Sequence, residues 1–331
     1  MLHVTDQWVW DFWLADDGHD YHLFFLQAPR GLGDPDLRHH HASVGHAVSS
    51  DLSTWARLPD ALAAGPEGAF DDRAIWTGSV VRGPAGGWFM FYTGLSLRGA
   101  AHVQQIGLAT STDLISWTKH PMSPVVRADD RWYETSASRA MPDDGLRDQP
   151  GGDETWRDPW VFPDPGGAGW HMLVTARARS GAPDDRGVVG HARSSDLLRW
   201  EVQPPLSAPG SGFAQLEVLQ VQVVDGTPVL LFSCLRSELA TTRAARADTG
   251  GVWAVAAPPV LGPYPVSDAR RLTDDTLYSG RLVLDRGGQW NLLAFRNRSE
   301  SGFVGQIIDP LPVTVATRPS GERALYCAQP A

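Results

Sequence analysis

One twelve-residue pattern occurs three times in this chain. Residues 44–55 read VGHAVSSDLSTW, residues 106–117 read IGLATSTDLISW, and residues 189–200 read VGHARSSDLLRW. The shared form is [VI]-G-[HL]-A-x-S-[ST]-D-L-x-x-W. A small, alternating strand runs into Ser-[Ser/Thr]-Asp, whose side chains bond nearby backbone groups and favour a turn. Leu and Trp then anchor the start of the next strand. Each copy follows an apolar strand, at 22–26, 88–92 and 170–174. Two weaker units come later, pairing 229–232 with 251–255 and 281–284 with 290–295. Five units of roughly sixty residues predict an all-β, five-bladed β-propeller, the radial solution to the edge-strand problem. A two-sheet sandwich fits less well, because its strands recur every ~8–12 residues without such self-similarity. No linker is visible, so residues 1–331 are expected to form a single domain. The polar stretch 131–159 reads as a rim loop rather than a boundary.

Composition narrows the function classes. Hydrophobic residues make up 42% of the 331 positions, enough for a real core, and the 14 Trp are many. A flat apolar ring stacks on the C–H face of a sugar as readily as it packs in a β-rich core. The net charge is −10, with both signs scattered, which argues against nucleic acid and anionic membrane as partners. No run approaches the ~18 apolar residues of a membrane span. The opening residues MLHVTD lack the basic and apolar regions of a signal peptide, so a cytoplasmic location is expected. Cys234 and Cys327 form no C-x-x-C, and Cys234 reads as a small buried hydrophobe. Consecutive residues of an extended segment point to opposite faces, so His39, His40 and His41 read as an exposed loop with at most one member at a rim. No metal site or cofactor is expected. Residues 166–169 lack phosphate-loop spacing, and no G-x-S-x-G elbow is present.

Three segments each carry one carboxylate in a setting that suits sugar chemistry. Asp11 lies in WVWDFW, where three tryptophans favour a site carboxylate over a turn cap. Asp158 lies between Arg157 and Pro159. It reads equally as a site carboxylate held by its arginine and as a structural ion pair. Glu217 lies among apolar residues in FAQLEVLQV, a setting that suits a general acid, with an outward strand position as the alternative. Glu134 is the main competing acid. Two carboxylates flanking a glycosidic bond can act as acid/base and nucleophile, and a third can steady developing charge.

These segments resemble the fructan- and sucrose-active glycoside hydrolases of families 32 and 68, which make up clan J. The stretch 8–13 is similar to the W-M-N-D-P-N motif of the invertase-like family and to V-W-D-[ST]-W-P of the levansucrase-like one. Residues 21–27 (YHLFFLQ) resemble Y-H-L-F-Y-Q, and 45–55 resemble W-G-H-A-x-S-x-D-L-x-x-W. Residues 76–79 (WTGS) resemble F-S-G-S, 157–159 are an intact R-D-P, and Glu217 is similar to the Glu of E-C-P. The departures are Trp10, Phe12 and Trp13 in the first motif and Val218-Leu219 in place of Cys-Pro.

The resemblance implies a retaining β-fructofuranosidase-type enzyme that passes through a covalent fructosyl-enzyme. Asp11 would be the nucleophile, Asp158 the transition-state stabiliser and Glu217 the acid/base. Trp10, Gln27, Trp76, Ser79 and Arg157 would line the fructosyl pocket. The substrate would be sucrose, a short fructo-oligosaccharide or a small fructoside. The C-terminal β-sandwich usual in the invertase-like family is not expected. Three alternatives stay open: an inverting arabinofuranosidase or xylosidase of the family 43 type, a fructosyltransferase, and a non-catalytic sugar-binding propeller.

Overall fold

The computed structural model describes residues 1–98, 101–135, 154–245 and 249–328. It is a five-bladed β-propeller. The first blade is β1 (Gln7–Asp16), β2 (Tyr21–Pro29), β3 (Ser43–Ser49) and β4 (Ala56–Leu62). The second is β5 (Ala74–Arg82), β6 (Trp88–Arg98), β7 (Ala101–Ser111) and β8 (Thr118–Lys119). The third is β9 (Trp156–Pro163), β10 (Trp170–Arg177), β11 (Gly187–Ser194) and β12 (Glu201–Gln203). The fourth is β13 (Glu217–Val224), β14 (Thr227–Cys234), β15 (Gly251–Ala256) and β16 (Arg270–Arg271). In each of these four, strands pair in chain order as an antiparallel meander. The fifth blade has β17 (Leu277–Leu284), β18 (Trp290–Ser299), β19 (Gly302–Ile307), β20 (Leu311–Thr317) and β21 (Arg323–Cys327). Its main path is β17-β18-β20-β21, with β19 paired to β18. The two weaker units of the sequence are β14 against β15 and β17 against β18.

The repeat's chemistry is the same in all three copies. Its glycine faces a bulky side chain directly across the strand pair, Phe25 over Gly45, Tyr92 over Gly107 and Val174 over Gly190. A Cβ at Gly107 would stand 2.5 Å from the Tyr92 ring, so any side chain there collides. The aspartate closes the turn: Asp196 Oδ1 accepts the N–H groups of Leu198 at 2.9 Å and Arg199 at 2.8 Å. Asp51 and Asp113 repeat this bonding. The next leucine is left-handed each time, with φ of 64° at Leu52, 62° at Leu114 and 66° at Leu197. All three side chains are buried. A left-handed leucine costs about 1–2 kcal/mol, less than the burial of its side chain returns. Leu197→Gly removes both terms, and a net loss of about 1–3 kcal/mol is expected in urea unfolding.

The ring closes between the fifth blade and the first. Leu2 and Ile307 exchange backbone hydrogen bonds at 2.9 and 3.0 Å, which lays the chain start against β19. Ile307 is fully buried there among Leu2, Val9 and Phe295. Ile307→Ala should cost about 2–5 kcal/mol of stability, measured by chemical denaturation. The expected rim loop falls mostly at 136–153, outside the described residues. Within the described part, Glu134 is buried and ion-paired to Arg186 at 2.9 Å and Arg177 at 3.4 Å. Those arginines take it up in the blade wall. Cys234 is buried and free, as its apolar neighbours suggest.

Candidate active site

The first strand of every blade slips register against its neighbour once. Register shifts occur between Trp10 and Phe12 in β1 and between Trp76 and Gly78 in β5. Further shifts lie opposite Leu173 to Thr175 in β9, between Glu217 and Gln220 in β13, and between Tyr278 and Arg281 in β17. A bulge leaves one residue out of the ladder and re-aims its side chain. Here the bulges release Asp11, Thr77, Asp158, Val218 and Ser279. Asp158, Val218 and Ser279 are left-handed, with φ of 57°, 55° and 50°. Backbone strain of this kind, in non-glycine residues, concentrates at functional sites.

Asp11 is held by two neighbouring blades. Thr77 Oγ1 donates to its Oδ2 at 2.8 Å, and Ser279 Oγ donates to its Oδ1. Burial and the nearby Asp158 charge push its carboxyl up to about 6, against the lowering effect of those two hydroxyls. Asp158 is buried. Its Oδ2 accepts from Thr175 Oγ1 at 2.9 Å and from the Val218 N–H at 3.2 Å. Its own N–H donates to Thr93 Oγ1 at 2.9 Å. Burial raises its carboxyl, and Arg157, at 3.6 Å, opposes that rise.

Glu217 opens β13 and meets a donor on each oxygen. Arg157 Nη2 donates to Oε1 and Tyr278 Oη donates to Oε2. Arg157 also bonds Gln215 Oε1, and Gln104 Oε1 at 3.4 Å. Burial works against its charge, but Glu217, Asp158 and Glu238 together raise it. Beneath the carboxylates lies Arg281, 1% exposed. Its Nη1 donates to the carbonyls of Val218 at 3.2 Å and Leu219 at 2.8 Å, and its Nε to Phe12 O at 3.2 Å. One guanidinium thus ties the fourth, fifth and first blades together under two acids. Burial lowers it to about 10, and Asp158 and Asp11 oppose the fall. Removing one partner of a buried charge set is strongly destabilising, so Arg281→Met should cost about 3–5 kcal/mol in thermal or urea unfolding.

The aromatic wall is built differently from the sequence expectation. His39 lies in the last turn of the short 3-10 segment Pro35–His40 and sets its ring edge-on to Trp10 at 6.1 Å and Trp76 at 6.2 Å. Trp76 Nε1 donates to His39 O at 2.7 Å. Burial and the charge of Arg38 lower the imidazole to about 3, so it is neutral. His39 is therefore the one member of the histidine run that reaches the wall, while His41 is exposed. The run is helical here, not extended. Trp8, Trp10 and Trp13 all pack into the core of the first blade.

Asp11, Asp158, Glu217 and Arg157 come together, and Trp10 and Trp76 meet through His39. Two expected lining residues have other partners. Ser79 Oγ is buried and accepts the Val161 N–H at 3.1 Å, stitching the second blade to the third. Gln27 Nε2 donates to Asp60 Oδ2 at 2.7 Å, within the first blade. These bonds anchor both side chains within the blade walls. Residues not read from the sequence are Thr77, Ser279, Tyr278, Gln104, Gln215 and Arg281. Gln215 and Thr77 flank residues that were singled out. Tyr278, Ser279 and Arg281 share the fifth inner strand, which carries no copy of the repeat.

The family model described as glycosyl hydrolases family 32 N-terminal domain matches residues 14–251. Beta-fructofuranosidase 1 of Zea mays is 29% identical over 200 residues, 58% of this chain and 25% of that protein. Sucrose:sucrose 1-fructosyltransferase of Festuca arundinacea is 30% identical over 194 residues, 56% of this chain and 24% of that protein. The chain thus matches about a quarter of the length of these curated relatives. The structure of inulosucrase from Halalkalicoccus jeotgali bound to kestose superposes with a TM-score of 0.73 at 20% identity, over 98% of this chain and 88% of that one. Fructan 1-exohydrolase IIa from Cichorium intybus gives 0.66 at 19% identity, over 99% and 59%. At such identities the likeness is one of fold.

Proposed function

The chain belongs to glycosyl hydrolase family 32, and on that footing we propose that it cleaves the fructosyl bond of sucrose, short fructo-oligosaccharides or small fructosides with retention of configuration. The observation that carries this reading is the cluster itself: Asp11 between two hydroxyl donors, and Glu217 between Arg157 and Tyr278. Asp11 attacks the anomeric carbon while Glu217 protonates the departing oxygen. Glu217 then takes a proton from water, which attacks the fructosyl–Asp11 ester and releases fructose. Asp158 accepts hydrogen bonds from fructosyl hydroxyls and steadies the oxocarbenium charge. Arg157 holds Glu217 in place. His39 and Trp76 supply the apolar wall for the ring, with buried Trp10 packed behind His39.

Transfer to a second sugar shares the first half-reaction, and a relative named as a fructosyltransferase supports considering it. The product mixture at high sucrose decides: free fructose in step with glucose means hydrolysis, and a deficit of fructose with new trisaccharide means transfer.

The pH profile follows from Asp11. A nucleophile must be ionised, so activity should fall as pH drops through about 6. Thr77→Val removes a donor that lowers this carboxyl, so the acid limb of kcat/KM should move up by about half a pH unit or more. An unmoved limb would separate Asp11 from the rate.

A further inference from the structure

The first and third blades hold the same chain of three side chains, and the second blade holds none of it. In the first, Asp17 Oδ2 in the β1–β2 turn lies 3.5 Å from His22 Nε2, and His22 Nδ1 lies 3.0 Å from His46 Nε2. In the third, Asp164 Oδ2 in the β9–β10 turn bonds His171 Nε2 at 2.8 Å, and His171 Nδ1 lies 2.8 Å from His191 Nε2. All four imidazoles are buried. His46 and His191 take the third position of the repeat, where the second blade has Leu108. His22 and His171 come second in their strands, where the second blade has Phe89. The second blade's turn, 83–87 (GPAGG), carries no acid. The three side chains are thus present together or replaced together. In the fifth blade the turn acid Asp285 bonds Asn291 at 3.0 Å, an amide that does not titrate.

Two imidazole nitrogens about 3 Å apart bond through one proton: one donates and the other must accept. The turn acid favours a charge on the outer ring, His22 or His171. A charge on the inner ring as well would set N–H against N–H. His46 has no outlet for it. Its Nδ1 is buried without a hydrogen-bond partner among the described residues, and its ring stacks on Phe24 at 4.4 Å. The charged and titratable groups facing His46 are His22, Arg57 and Asp113. Those facing His191 are His171 and Arg193, the latter 3.8 Å from Asp164. Tyr133 Oη accepts the His191 backbone N–H at 3.0 Å.

We propose that the two Asp–His–His chains are an acid-sensitive latch: His46 and His191 fit the folded blades only when neutral, so falling pH releases the first and third blades. Burial, helped by His22 and Arg57 and opposed by Asp113, lowers His46 to about 3. Burial, His171 and Arg193 lower His191 to about 3 as well. In the unfolded chain a histidine takes its proton near 6.5. A group lowered in this direction contributes stability that is full above about 6.5 and is lost as pH falls toward about 3. Asp11 acts in the opposite direction, so the latch is read as a difference between variants. It does not depend on which sugar the axial acids cleave.

The test is urea unfolding between about pH 7.5 and 4.5 for wild type, for His22→Phe/His46→Leu, and for the variant that adds His171→Phe/His191→Leu. Each double substitution gives a blade the residues of the second. Below about pH 6 each latch should lower the folding constant about tenfold per pH unit, and the two together about a hundredfold. Each pair replaced should remove one of these tenfold steps. Equal slopes in the three proteins overturn the proposal. Imidazole nitrogen NMR of the wild-type protein needs no variant to fold. Two histidines that stay neutral down to about pH 5, each coupled to a second ring across an N–H···N hydrogen bond, are expected. Four buried histidines that titrate independently near 6.5 in the folded protein overturn the latch.

Discussion

Asp11→Asn is expected to abolish fructoside turnover, by about 10⁴-fold or more, and to leave the protein folded and more heat-stable. The two effects share one cause. Asp11 is lifted out of the β1 ladder by a bulge and set close to Asp158 and Glu217. Its carboxyl is raised to about 6 in the folded protein, above its ordinary value near 4. A group shifted in this direction contributes stability when protonated, below its unfolded value, and loses that contribution as pH rises through about 6. At pH 7 the ionised carboxylate therefore costs stability that neutral asparagine does not. Asp11 is partly exposed, so solvent screening trims the gain to about 1–2 kcal/mol, a few degrees in melting temperature. Activity and stability trade against each other at this one position. Initial rates and a melting curve on the same preparation check both halves. Turnover within about tenfold of wild type would remove Asp11 from the nucleophile's role.

The second large effect belongs to Glu217. In Glu217→Gln the proton donor is gone, but the side chain keeps its size between Arg157 and Tyr278. Sucrose carries a poor leaving group and needs protonation, so its turnover should fall about 10³-fold or more. An aryl fructoside carries a good leaving group and should still form the fructosyl-enzyme quickly. The second half-reaction then stalls for want of a base, and the fructosyl group accumulates on the peptide that carries Asp11. Azide needs no general base, so it should release β-fructosyl azide and restore turnover. Equal losses on both substrates, with no response to azide, would contradict an acid/base role for Glu217.

Much of the architecture is legible in the chain because the repeat is a local device. Its glycine, aspartate turn and buried leucine act within one hairpin, so residues 44–55, 106–117 and 189–200 reveal three blades directly. The fourth and fifth lack the turn and show only paired apolar strands, which still place β14 against β15 and β17 against β18. Asp11, Asp158 and Glu217 stand out because each sits among residues unusual for a surface acid. The bulges do not show, since a period-two pattern states which face a residue takes and not where the ladder slips. Nor does the sequence pair Ser79 with Val161 or Gln27 with Asp60, contacts that only the packed blades make. Tyr278 meets Glu217 where the fifth blade packs on the fourth, and Ser279 and Arg281 reach Asp11 and Phe12 only when the fifth blade closes on the first. That contact spans more than two hundred residues of chain, as Ser279 to Asp11 illustrates. The histidine run leaves room for one member at the rim but does not single out His39, because the 3-10 turn that aims it does not show in the sequence.

The measurement that tests the central claim most directly is sugar release from a small panel, run with wild type and Asp11→Asn. The panel holds sucrose, 1-kestose, a levan oligosaccharide, an aryl arabinofuranoside and an aryl xyloside. Free fructose from the fructosides, nothing from the pentosides, and silence from Asp11→Asn is the predicted result. Turnover of the pentosides alone, with inverted products, would contradict it and make the same three acids an inverting set.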